Sequence, residues 1–236
     1  MNLALASQDV QKKFGHFTAL AGVTLEVPRG EFVTLFGRNG AGKTTFLKIA
    51  ATLMRPTHGS FRIEGIDIRK EPEKARRNIG FLSHNTFIYR DLSAIENLRF
   101  FCRLYGADSS DERLMGLLER FGLRRRANDT VRNFSRGLQQ RVGIARVLLH
   151  DPHLILLDEP YTGLDAQAVA MLNEALDEIV KAGRTVILTT HDLEQGLRAA
   201  SRVLIMDRGK IVLSAEARDP AIRETYDRLI LSGARR

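Results

Sequence analysis

Up to about Ile68 the chain alternates short apolar segments with turn residues, as in "FTALAGVTLEVPRGEFVTLFG" and "THGSFRIEGIDI". That two-residue period predicts β-strands wrapped around a strand-loop-helix unit, with Gly59 and Gly65 bracketing a hairpin strand. From Ser93 to about His150 the period lengthens. "SAIENLRFFCRLYG", "SDERLMGLLERFGL" and "SRGLQQRVGIARVLL" place apolar residues at helical spacing, which predicts an inserted helical subdomain. Two short apolar runs follow, "HLILLDEP" and "RTVILTTH", with the helical "DAQAVAMLNEALDEIVKAG" between them. Runs so short and so uniformly apolar predict buried parallel strands. The whole pattern predicts an α/β fold: a mainly parallel core sheet, an antiparallel β subdomain and the inserted helices. The expected division is one domain over residues 1–236, in which 1–84 and 151–220 form the core with its β subdomain, 85–150 the helical subdomain, and 221–236 a terminal helix and tail.

Composition narrows the class. With 236 residues, 44% hydrophobic and 27% charged, the chain has the make-up of a globular protein with a sizeable core. No run approaches the roughly 18 apolar residues that span a bilayer. "MNLALASQDV" lacks the basic start and full apolar core of a signal peptide, so a cytosolic protein is expected. The one cysteine, Cys102, falls where an amphipathic helix would bury it and reads as structural. Net charge is +8, from 36 Lys and Arg against 28 Asp and Glu, which suits contact with phosphates, nucleic acid or an anionic membrane surface. The densest basic groups are Arg124 to Arg126, Lys74 to Asn78, and the terminal Arg235 and Arg236. They carry no interleaved aromatic residues and read as solvated surface rather than a nucleic-acid groove.

The most specific chemistry lies in "LFGRNGAGKTT", which follows a strand-like run and leads into a helical one. Gly37, Asn39, Gly40, Ala41, Gly42, Lys43, Thr44 and Thr45 stand at Walker A spacing. Glycines let the backbone turn its N–H groups toward phosphate oxygens. Lys43 neutralises β and γ phosphates, and Thr44 offers a hydroxyl to Mg²⁺. "LILLDEP" supplies the partner: an apolar strand ends in Asp158 and Glu159 at the carboxyl edge of the sheet, where α/β folds bind ligands. Asp158 is suited to hold Mg²⁺ through water and Glu159 to polarise an attacking water. His191 ends the next strand at the same edge, although taken alone a histidine there reads as structural. His150 and His153 flank a proline-containing turn and are expected to be exposed, and no transition-metal site is expected. The run "NIGFLSHN" closes on Ser83, His84 and Asn85, and its local sequence fits a turn or part of a site equally.

"NFSRGLQQRVGIARVLLHDPHLILLDEPYTGLD" joins a signature-like segment to the carboxylate strand at a spacing no generic nucleotide-binding protein needs. Here the chain resembles the ATP-binding cassette family, from "VQKKFGHFTALAGVTLEVPRGE" through to "ASRVLIMDRGKIV". The resemblance implies a P-loop NTPase fold of the ABC ATPase type, with ATP and Mg²⁺ as cofactors. It also implies a head-to-tail homodimer or pseudo-dimer, each ATP lying between Walker A of one subunit and the signature of the other. By the same likeness Phe14 stacks on adenine, Ser135 and Gly137 touch the γ phosphate of the opposite ATP, Asp165 lies at the dimer seam, and His191 contacts the γ phosphate. The signature departs from the usual Leu-Ser-Gly-Gly-Gln and reads Phe134, Ser135, Arg136, Gly137, Leu138. Ser135 as N-cap with Gly137 keeps an anion-binding helix end, while Arg136 either adds a phosphate contact or faces solvent. His84 stands where the family usually carries a glutamine that reaches Mg²⁺ and the attacking water, in the region that begins the contact with the membrane partner. A neutral imidazole has one acceptor nitrogen for a metal-bound water and loses it on protonation near its ordinary pKa of about 6.5. His84 is therefore both a catalytic and a metal-contacting candidate, beside a plain turn-closing role.

The partners implied are transmembrane permease subunits, with the chain peripheral on the cytoplasmic face of the cell (inner) membrane and no nucleic acid bound. Soluble cassette proteins that act on nucleic acid carry two cassettes or long coiled-coil insertions, and neither is present. The signature segment argues against a P-loop kinase, and no Asn-Lys-x-Asp sequence offers guanine recognition. A narrower likeness follows from His84 and "NTFIYRDLSAIENLRFFCRLYG", which are similar to the ATP-binding subunit of the heme exporter of cytochrome c maturation. "DEPYTGLD" and "FSRGLQQR" fit bacterial exporters of other cargo, such as drugs, lipids or polysaccharides, as well.

Overall fold

The computed structural model describes residues 2–83 and 86–231, so the expectation for His84 lies outside the described residues. In chain order the elements begin with β1 (Leu3–Phe14), β2 (Phe17–Pro28), β3 (Phe32–Phe36), α1 (Lys43–Ala50), β4 (His58–Ile63) and β5 (Ile66–Asp67). Next come α2 (Pro72–Arg76), β6 (Ile79–Leu82), α3 (Ala94–Tyr105), α4 (Asp111–Arg120), α5 (Arg136–Val147) and β7 (Leu154–Asp158). The chain then forms α6 (Ala166–Lys181), β8 (Thr185–Thr189), α7 (Leu193–Arg198), β9 (Arg202–Asp207), β10 (Lys210–Glu216) and α8 (Ala221–Tyr226).

Two sheets result. The antiparallel one has the order β2-β1-β4-β5, and Gly59 sits inside β4 rather than at its border. The larger sheet has the order β10-β9-β3-β8-β7-β6 and is parallel except for β10 on its edge. Every residue of β3, β7 and β8 is buried, as a parallel sheet covered on both faces demands. Successive side chains along these strands leave on opposite faces. Ile155, Leu157, Val186 and Leu188 therefore pack with Leu98, Leu118, Val142 and Leu172 of the helices. Leu154, Leu156 and Ile187 instead join Phe46, Leu47 and Phe61, so that α1 is held between the two sheets.

Local sequence starts and stops the helices. Ser93 and Glu96 form a capping box at the head of α3, and Gly106 ends it in the left-handed conformation. Ser135, Asp165 and Asp192 cap α5, α6 and α7 through side-chain oxygens that accept main-chain N–H groups. Cys102 is buried on α3, as its amphipathic pattern predicts. His150 corrects the sequence reading. To enter β7 beside β6, the chain must fold back under the end of α3, which half-buries His150. Its ring stacks on Tyr105 at 3.9 Å, and its Nε2 hydrogen-bonds the Ile79 carbonyl at 3.0 Å. His153 is exposed.

Candidate functional site

The phosphate loop runs from the end of β3 to the head of α1, and two of its glycines are required by contact. A β carbon on Gly37 would lie 2.5 Å from the Met206 carbonyl oxygen, and one on Gly42 would lie 2.6 Å from that of Ala19. Gly42 also has φ +111° and occupies the N-cap of α1. Phe14, Phe17, Asn39, Gly40, Ala41, Gly42, Lys43, Thr44, Thr45 and Glu159 line a cavity of about 230 Å³ above the loop. The two phenylalanines face each other at the turn of the β1–β2 hairpin and are 47% and 60% exposed, an aromatic edge open to a planar ligand.

The buried end of the cavity carries the charge. Lys43 extends back over its own loop, donating from Nζ to the Gly37 carbonyl at 2.6 Å and lying 3.9 Å from Glu159 Oε1. Burial lowers its pKa, while Glu159 and Asp158 act to raise it. Asp158 is buried at the end of β7, and its Oδ1 accepts from the Thr44 hydroxyl at 3.1 Å and the Thr189 hydroxyl at 2.7 Å. The helix that starts at Lys43 and the strand that ends at Asp158 thus meet through one carboxylate oxygen. A hydroxyl and a carboxylate so placed are hard oxygen donors of the kind that hold Mg²⁺ alongside water and phosphate oxygens.

Glu159 adopts φ +53°, a conformation that costs a non-glycine residue about 1–3 kcal/mol. Its N–H donates to both the carbonyl (3.0 Å) and the hydroxyl (3.1 Å) of Thr189, and these bonds hold it there. In this turned position its carboxylate lies between Lys43 and His191, whose Nδ1 is 2.9 Å from Glu159 Oε2. The β7 and β8 strand ends therefore bring Asp158, Glu159 and His191 together with the phosphate loop.

Ser135, Gly137 and Asp165 lie elsewhere. Among the described residues, none of the three is in the wall of the phosphate cavity. Ser135 is exposed at the head of α5, where its Oγ accepts from Leu138 N–H at 3.4 Å, and Gly137 faces the carbonyl of Gly163. Asp165 Oδ1 accepts from Ala168 N–H and from the Arg141 guanidinium at 3.3 Å. Gln140 donates to the Pro160 carbonyl at 3.2 Å, so α5 is tied to the segment that follows Glu159. Arg136 is exposed beside Gly163. Sequence reasoning missed Thr189, which binds both carboxylate residues. Its signal was a hydroxyl residue closing a strand whose interior, Val186 to Leu188, is aliphatic. Phe17 was missed too, although a second aromatic directly across a hairpin turn was visible.

The family described as ABC transporter matches residues 20–162 of the chain. Over 217 residues the chain is 36% identical to the Nod factor export ATP-binding protein I of Cupriavidus pinatubonensis, covering 91% of this chain and 67% of that one. It is 35% identical to a daunorubicin resistance ATP-binding protein of Streptomyces coeruleorubidus, over 96% of this chain and 72% of the relative. A solved dimeric, post-hydrolysis ATP-binding cassette bound to ADP and Pi superposes with a TM-score of 0.83 at 32% identity, covering 91% of this chain and 99% of the other. A phosphate loop facing two strand-end carboxylates, a family match across more than half the chain and this shared fold agree, and the chain belongs to the ABC transporter family as an ATP-binding subunit with ATPase activity.

Proposed function

We propose that the chain hydrolyses ATP at the edge formed by β3, β7 and β8, and that hydrolysis drives export through separate transmembrane subunits. The observation that carries this reading is the convergence of Lys43, Thr44, Asp158, Glu159 and His191 at one sheet edge. In it, Lys43 and the loop N–H groups bind the β and γ phosphates, with Asn39, Gly40, Ala41 and Thr45 shaping the cradle. Thr44 and Asp158 would hold Mg²⁺, which when bound neutralises phosphate charge. Glu159 takes the proton of the attacking water. His191 orients that carboxylate through Nδ1 and faces the γ phosphate. Phe14 stacks on the adenine. Ser135 and Gly137 reach the ATP of a second copy, with Asp165 at the seam, which accounts for their position outside this chain's own cavity.

Among the described residues no helix is long and apolar enough to cross a membrane. The proposed docking site for the permease is a second cavity of about 250 Å³, lined by Leu53, Phe81, Phe87, Phe101, Tyr105 and Arg146. It lies between β6 and the helices α3 and α5, and Leu53 and Phe87 leave large apolar surface exposed there. The relatives named above are a Nod factor export protein and a daunorubicin resistance protein, which favours a drug, lipid or polysaccharide as cargo over heme. Glu159→Gln tests the reading. It should retain ATP binding and slow turnover by about 10² to 10⁴, or roughly 3 to 5 kcal/mol, and should halt cargo efflux in vesicles that also contain the membrane subunits. Near-normal hydrolysis by that variant overturns it.

A further inference from the structure

One buried hydroxyl far along the chain touches the site from behind. Tyr226 closes α8 and is only 6% exposed. Its phenol donates a hydrogen bond to the main-chain carbonyl of His191. Its ring meets Phe36 edge-on, with centroids 5.5 Å apart and planes at 86°. Phe36 is the last residue of β3, immediately before Gly37, and His191 lies two residues beyond β8. α8 is fixed in place by Ile222, which packs with Val203 and Ile205 of β9 and with Phe36. A single side chain therefore bridges the root of the phosphate loop and the segment that carries the histidine.

The His191 imidazole needs such help. Its side chain is 69% exposed, so packing does not hold it, and its direction follows from its main chain and its contact with Glu159. On one side the main chain is anchored by the bond from Asp192 N–H to the Thr190 hydroxyl at 3.1 Å. The carbonyl of His191 itself is anchored by Tyr226.

We infer that Tyr226 is a positioning residue for ATP hydrolysis: its hydroxyl, through the His191 carbonyl, fixes the backbone that aims the imidazole at Glu159. The inference rests on the role proposed above for His191. Burial raises the pKa of the phenol, so it stays a donor throughout the neutral range. Helix α8 then becomes part of the hydrolytic apparatus, and a partner that displaced it would slow hydrolysis without touching the nucleotide.

The test is a double-mutant cycle on the full chain, read by single-turnover ATP hydrolysis with enzyme in excess. Tyr226→Phe keeps the ring and its packing on Phe36 while removing the hydroxyl. It should lower the rate constant at saturation by about 2- to 10-fold, the worth of one hydrogen bond, and leave the enzyme concentration at half-saturation unchanged. In a His191→Ala background the same substitution should have no further effect. An equal loss in both backgrounds, or a wild-type rate for Tyr226→Phe while His191→Ala is slow, overturns the positioning role alone. A wild-type rate for His191→Ala overturns the histidine assignment and this inference with it. A fall in thermal stability without any loss of rate assigns Tyr226 to the core only and likewise overturns it.

Discussion

Thr189→Val removes one hydroxyl from the end of β8 and changes almost nothing in shape. In the native chain that hydroxyl donates to buried Asp158 at 2.7 Å and accepts from Glu159 N–H at 3.1 Å. The second bond duplicates the one from the same N–H to the Thr189 carbonyl, so its loss costs little. The first is a bond to a buried carboxylate, and losing it should cost about 1.5–3 kcal/mol. For a chain of this size each kcal/mol moves Tm by about 2–4 °C, so thermal unfolding without nucleotide should shift down by about 3–12 °C. Thr189→Ser, which keeps the donor, should recover most of that loss. Turnover should fall as well, because among the described residues Asp158 Oδ1 is then left with the Thr44 hydroxyl at 3.1 Å. A valine variant within about 1 °C of wild type, with unchanged ATPase rate, refutes the claim that Thr189 holds the carboxylate pair.

Two further outcomes follow from features away from the carboxylates. Burial lowers the pKa of His150 below its ordinary 6.5, so as pH falls below that value the unfolded chain takes up a proton that the folded chain resists. Stability should decline through that acid range, and His150→Phe should flatten the decline; superimposable plots of Tm against pH would rule this out. Gly42→Ala puts a β carbon 2.6 Å from the Ala19 carbonyl at φ +111°. It should cost at least about 1–2 kcal/mol of stability and tenfold or more in ATP affinity by nucleotide titration. Wild-type values for both would show that the loop has room to relax.

Much of the molecule was legible because local and global signals agree in it. The short apolar runs within 154–158 and 185–189 read as buried parallel strands, and the change of period at Ser93 marked the start of α3. The place of Asp158 and Glu159 at the sheet edge followed from where such strands end. The missing parts share one physical cause: they depend on which elements meet in space. Thr189 looked like an ordinary strand residue, and only the neighbouring position of β7 gives it Asp158 as a partner. His150 looked exposed because it neighbours a proline turn, and its burial depends on how α3 ends beside β6. Tyr226 carried no signal at all, since its partner lies 35 positions earlier in the chain. The strain at Glu159 was equally invisible, because a positive φ there is held by hydrogen bonds that its N–H donates to Thr189 of β8.

The backing of the phosphate loop has a thermodynamic consequence. Gly37 presses against Met206, Gly209 N–H donates to the Ala41 carbonyl at 2.8 Å, and Ala21 N–H donates in turn to the Gly209 carbonyl at 2.9 Å. The loop is thus clamped from behind by the β9–β10 turn and by β2. A loop that had to order itself around its ligand would lose about 1–2 kcal/mol of conformational freedom per residue at each binding event. This one meets that cost once, when the chain folds. Nucleotide affinity is then not reduced by that ordering cost, and the free energy of binding remains available for the subunit association proposed above.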